Sequence, residues 1–146
     1  MQRYLGNGRA GLGWKKARLF SAVAPGERLA EAPYPTAVEG PMGPLTVHAG
    51  VFAQQQLDIG ARFFLEHLPG TLSAGTKVAD LGCGNGVIGL SLLQAHPSSH
   101  LVFCDESWLA LHSARDNVAR YCPESTCAFH LEDGRAGSAE PSAPIP

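Results

Sequence analysis

The stretch KVADLGCGNGVIG at residues 77–89 limits what this chain can fold into more than any other. Val78, Ala79 and Leu81 form a short apolar run of the kind that fills a parallel strand covered on both faces. Gly82, Gly84 and Gly86 follow at alternate positions, and the apolar run over 87–93 suits a helix. Strand, glycine turn and helix in succession are how an α/β sheet presents backbone amides and a positive helix end to a ligand.

Two kinds of ligand use such a turn, and Asp80 separates them. A dinucleotide places a pyrophosphate over the glycines, where a carboxylate just upstream repels it. S-adenosylmethionine carries no phosphate; its ammonium and sulfonium are both favoured by a nearby negative charge. The spacing D-x-G-x-G-x-G over 80–86 resembles the first motif of the class I methyltransferases, so Asp80, Gly82, Gly84, Asn85 and Gly86 are candidate cofactor-binding residues. The plainer alternative is that these glycines only permit a tight turn.

Alternating element types extend outward from this stretch. Leu57, Ala61, Phe64, Leu65 and Leu68 recur at three- and four-residue spacing before Pro69 and Gly70, which predicts an amphipathic helix over 57–68 packed on a sheet. A brief strand is expected at 45–50. The run HLVFCD at 100–105 predicts a second buried strand, Ser107 caps a helix running to about Tyr121, and a third strand follows at 127–131. This βαβ order implies parallel neighbours. Within the Gly- and Pro-rich leader, only residues 13–24 suit a regular element, of two or three turns.

Two further acids end strands. Asp105 falls about 20 positions beyond Gly82, where an acid at the next strand's carboxyl end reaches ribose hydroxyls. Equally, Asp105 can be an acid favoured by the helix macrodipole. Ser107 adjoins it, and Trp108 lies either against an adenine face or in the core. Asp133 either accepts the adenine amino hydrogens or belongs to an ordinary turn.

The net charge of −2 hides an asymmetry, because Arg3, Arg9, Lys15, Lys16 and Arg18 all precede the first acid, Glu27. Such an arm either meets nucleic acid or is a solvated surface. Apolar runs fall well short of the ~20 residues of a membrane span, and the first residues lack a signal peptide's apolar segment, so a cytoplasmic location without membrane contact is expected. Cys83, Cys104, Cys122 and Cys127 show no metal-ligand spacing with the histidines, so free thiols and no metal are expected.

LGWKKARL from Leu12, HAGVF from His48, LDIGARFF from Leu57, DLGCGNGVIGL from Asp80 and VFCDES from Val102 together resemble the ribosomal RNA guanine-N2 methyltransferases. The likeness runs from Leu5 to about Leu131. It implies an α/β, partial Rossmann-like class I methyltransferase fold, a parallel sheet with helices on both faces, truncated at the C-terminus. Residues 1–44 would be the end of an N-terminal domain plus linker and 45–134 the S-adenosylmethionine-binding half of the methyltransferase domain; the tail 135–146, with three prolines and little to bury, is by its composition expected to be disordered. It implies further that Asp80 to Gly86 hold the methionine end, that Asp105 holds the ribose, and that segments containing Phe52 and Asp58 close over the cofactor. Ribosomal RNA would be the substrate of the full-length parent.

The family's Asn-Pro-Pro-Phe motif, which grips and stacks the guanine, has no counterpart here: Asn7, Asn85 and Asn117 precede no Pro-Pro. No catalytic residue is therefore assigned, and the chain alone is expected to bind cofactor weakly without turnover. The alternatives are a methyltransferase acting on a small molecule or protein, and a non-catalytic S-adenosylmethionine-binding remnant.

Overall fold

A computed structural model describes residues 8–23 and 33–132. The chain divides into two units, Met1–Pro33 and Tyr34–Pro146.

In the first unit, β1 (Arg9–Trp14) and β2 (Ala17–Ser21) form an antiparallel hairpin where the sequence suggested helical turns. The physical reason lies in the turn. Lys15 and Lys16 both adopt positive φ, 43° and 64°, and a two-residue loop with both φ positive matches the right-handed twist of the flanking strands. Neither residue is the Gly, Asn or Asp that signals such a turn, so nothing within residues 13–24 marked a hairpin. The Lys15 ammonium lies 4.7 Å over the Trp14 ring, and every residue of both strands is exposed.

The second unit begins with β3 (Thr36–Gly40) and β4 (Gly43–Val47), an antiparallel hairpin running across residue 44. Helix α1 (Ile59–Glu66) follows, capped by Asp58, whose carboxylate accepts from the Gly60 amide at 2.8 Å. Next come β5 (Lys77–Leu81), α2 (Val87–Ala95), β6 (His100–Asp105), α3 (Trp108–Tyr121) and β7 (Cys127–Leu131). The three strands β5, β6 and β7 pair in parallel in that order. The expected βαβ alternation is present.

Two expectations about packing are corrected. The strand before the glycines is an edge strand with β6 as its only neighbour among the described residues, so Ala79 is exposed and Leu81 is 65% exposed rather than covered on both sides. Helix α1 leans on α2, fully burying none of its residues although Ala61 and Leu65 pack against the core; the helices that pack closely on the sheet are α2 and α3.

The core lies between α2, α3 and β6, where Leu90, Leu93, Leu101, Phe103, Leu111 and Ala114 are all but inaccessible. Leu45 of β4 joins it, while Val38, Val47, Val51 and Ala110 make a smaller cluster beneath the hairpin. Burying a side chain of this size contributes about 1.5–3 kcal/mol. A fully buried asparagine joins these layers. Asn117 Oδ1 accepts from the Thr46 amide at 2.7 Å, and its Nδ2 donates to the Thr46 and Asn85 carbonyls at 3.0 and 2.9 Å.

Candidate functional site

The glycine turn lies where β5 and β6 end side by side. Gly82, Gly84 and Gly86 have φ of 70°, 55° and 80°, backbone that a side chain rarely tolerates. At Gly86 space is also decisive, because a Cβ there would sit 2.9 Å from the Ala114 Cβ.

The turn's amides are largely consumed within the protein. Those of Gly82 and Cys83 donate to the Cys104 carbonyl, and that of Gly86 to the Cys83 carbonyl. The Asp105 carboxylate accepts from the Gly84 amide at 2.9 Å through Oδ2 and from the Ser107 amide at 2.8 Å through Oδ1. Asn85 Oδ1 accepts from the Val87 amide, and Asp80 Oδ2 accepts from the Gly89 amide at 2.9 Å, in the first turn of α2. The positive end of α2 therefore steadies Asp80. A turn organised in this way offers carboxylate oxygens where a dinucleotide site offers N–H donors.

Beside the turn opens a cavity of about 830 Å³, lined by the turn, by residues 50–53 and by α1 and its flanks. Among the described residues its charged lining consists of Asp58, Asp80, Asp105 and Glu106, with no Lys, Arg or His. The walls are apolar, with Leu57, Phe64, Leu72 and Ile88 among them. Burial chiefly raises the Asp80 pKa, with repulsion from Asp105 adding to it, while the Gly89 amide acts in the opposite direction. An ionised Asp80 thus lacks a counter-charge here, and a cation entering the cavity supplies one. Burial foremost, then Asp80 and Asp105, push the Cys83 thiol far up, so it is a neutral filler and no nucleophile. All four cysteines are free thiols.

Asp80, Gly82, Gly84, Asn85, Asp105 and Ser107 line this cavity together with Phe52 and Asp58. Gly86 does not line it; it caps α2 from the left-handed region. Ser107 caps α3, its hydroxyl accepting from the Ala110 amide at 3.3 Å. Trp108 is absent from the cavity and from the core. It is 47% exposed and leans against His112 on α3. Asp133 lies outside the described residues, as does the 135–146 tail. Two contributors escaped the sequence reading. Glu106 was overshadowed by its neighbour Asp105, although an acid in the same strand-end turn was the available signal. Asn117 braces Asn85 from a different element, which no local pattern can indicate.

The family model described as "Methyltransferase small domain" matches residues 43–142. A protein of Alcanivorax borkumensis named Ribosomal RNA large subunit methyltransferase G is 69% identical over 137 residues, 94% of this chain and 35% of that protein. A protein of Pseudomonas entomophila with the same name is 42% identical over 147 residues, 99% of this chain and 39% of its own length. The chain thus spans little more than a third of these relatives. Among solved structures, precorrin-6y C5,15-methyltransferase from Geobacter metallireducens aligns with a TM-score of 0.50 and 14% identity, over 68% of this chain and 50% of that one. At that identity the likeness speaks for the fold alone.

Proposed function

This chain belongs to the methyltransferase small domain family, and we propose that it is the S-adenosylmethionine-binding part of an enzyme that methylates the exocyclic N2 of guanine in ribosomal RNA. The observation that carries the cofactor reading is the cavity's charge: carboxylates and apolar walls and, among the described residues, no basic side chain. This lining repels a pyrophosphate and attracts an ammonium and a sulfonium. Ribosomal RNA as the acceptor is supported by the relatives' printed names, and guanine N2 by the motif resemblance described above.

In this reading residues 45–134 form the cofactor-binding half of the catalytic domain. Asp80 faces the methionyl ammonium, with Gly82, Gly84, Asn85 and Gly86 shaping the turn beside it. Asp105 keeps a free lone pair on each oxygen for the ribose hydroxyls while its other lone pairs hold the Gly84 and Ser107 amides. Phe52 and Asp58 flank the entrance, and Asp133 takes the adenine amino group. When bound, the cofactor supplies an electrophilic methyl group. Holding it at a fixed angle to a weakly nucleophilic amine is the greater part of the catalytic task. The exposed hairpin bearing Lys15, Lys16 and Arg18 supports an RNA partner in a cytoplasmic setting. Among the described residues no helix is long and apolar enough to cross a membrane.

Calorimetry of the purified chain with S-adenosylhomocysteine and with NAD tests the proposal. Binding of the first alone, weakened at least tenfold by Asp80→Ala, is the expected result. Preference for NAD, or affinity indifferent to both Asp80→Ala and Asp105→Ala, would overturn it.

A further inference from the structure

Outside the acid-lined cavity, His48, His112 and Asp116 bring three donor atoms together within 4.8 Å of one another. We propose that they form a binding site for a divalent transition-metal ion of the zinc class. His48 Nε2 lies 2.9 Å from Asp116 Oδ2, and His112 Nδ1 lies 3.5 Å from the same oxygen. A tetrahedral ion with ligands at about 2.0–2.1 Å separates any two of them by about 3.3 Å, and the two spacings to Asp116 straddle that value. Two imidazole nitrogens and one carboxylate oxygen suit zinc, copper, nickel or cobalt, and they are a poor set for magnesium or calcium.

The frame that holds these donors is rigid. His112 and Asp116 are four residues apart on α3 and so share one helix face. His48 is fastened to the same helix, because its backbone amide donates to the Ser113 hydroxyl at 3.0 Å, and that fully buried hydroxyl donates to the Leu109 carbonyl at 2.8 Å. The Trp108 ring, 4.9 Å from that of His112, limits the rotation of the imidazole. An independent observation points to a ligand: His112 Nδ1 is out of solvent reach and, among the described residues, has no hydrogen-bond partner. Leaving such an atom unpaired is costly, and a bound ion satisfies it. The ring hydrogen that otherwise sits between His48 Nε2 and Asp116 must move to Nδ1, so that Nε2 offers its lone pair to the ion. Water takes the fourth position. Occupancy ties α3 to the chain two residues before Gly50, where the cavity lining begins.

The test uses the full chain carrying Trp14→Phe, which leaves Trp108 as its one tryptophan. After chelator treatment, zinc is titrated by calorimetry and nickel by quenching of Trp108 fluorescence. One zinc per chain is expected, together with quenching that zinc reverses. His48→Ala, His112→Ala and the isosteric Asp116→Asn should each weaken both signals at least tenfold, with His100→Ala unchanged. Cobalt should give a tetrahedral spectrum without thiolate charge-transfer bands. The site would be refuted by absence of stoichiometric zinc, by binding indifferent to the substitutions, or by a cobalt–thiolate spectrum. Circular dichroism of the Asn variant distinguishes a lost ligand from a lost fold.

Discussion

Helices α1 and α3 are both amphipathic in sequence, yet their surroundings differ completely. Helix α3 buries Ala110, Leu111, Ser113, Ala114, Asn117 and Val118 between the β3–β4 hairpin and the parallel sheet. Helix α1 fully buries no residue: Ala61 and Leu65 pack part-buried against the core, while Ile59, Phe63 and Phe64 stand exposed. The difference follows from the sheet. Helix α3 packs on β4, β6 and β7, whereas α1 leans chiefly on α2, and among the described residues no strand extends the sheet beyond β5. An apolar stripe records which face a helix would bury; the element that covers it belongs to a distant part of the chain.

Substitutions can break or sharpen this contrast. The largest effect is expected from Asn117→Leu, which leaves the Thr46 amide and carbonyl and the Asn85 carbonyl without their partner. At roughly 1–3 kcal/mol for each buried group left unpaired, a loss of about 3 kcal/mol or more is expected in urea unfolding. Leu111→Ala in α3 should cost about 3 kcal/mol, and Leu65→Ala in α1 about 1 kcal/mol, because only the first leaves a sealed cavity. Equal costs would mean that α1 is covered in solution.

Asp80 provides a pH test between the two helices. Its folded carboxyl is raised above the unfolded value, so its contribution to stability is complete below the unfolded pKa and is lost as pH rises through the folded one. Cofactor affinity should move the opposite way, growing over the same window as the carboxylate ionises. Asp80→Asn should flatten both profiles; a cofactor affinity profile unchanged by it would remove Asp80 from the site. The smallest effect is expected for Phe63→Ser, within about 0.5 kcal/mol on stability, with less self-association in light scattering.

The parts legible in the sequence were those fixed by near neighbours. Asp80 through Leu93 specify strand, turn and helix locally, and Ser107 announces the start of α3. The edge position of β5 was not legible, since Val78, Ala79 and Leu81 have the composition of a central strand whatever pairs with them. The β1–β2 hairpin was hidden by a turn made of two lysines. Asp80 and Asp105 were identified by position, but their grip on the Gly89 and Gly84 amides was not. The same carboxylates that face the cavity also hold its floor in shape.

That double duty of Asp105 has a consequence for ligand exchange. By bonding the Gly84 and Ser107 amides at once, it fastens the glycine turn to the start of α3 without help from any guest. A guest arriving at such a floor forfeits little freedom in arranging it, so more of each contact survives as affinity. Entry and exit of such a guest then depend on the part of the lining around Phe52, which is 75% exposed.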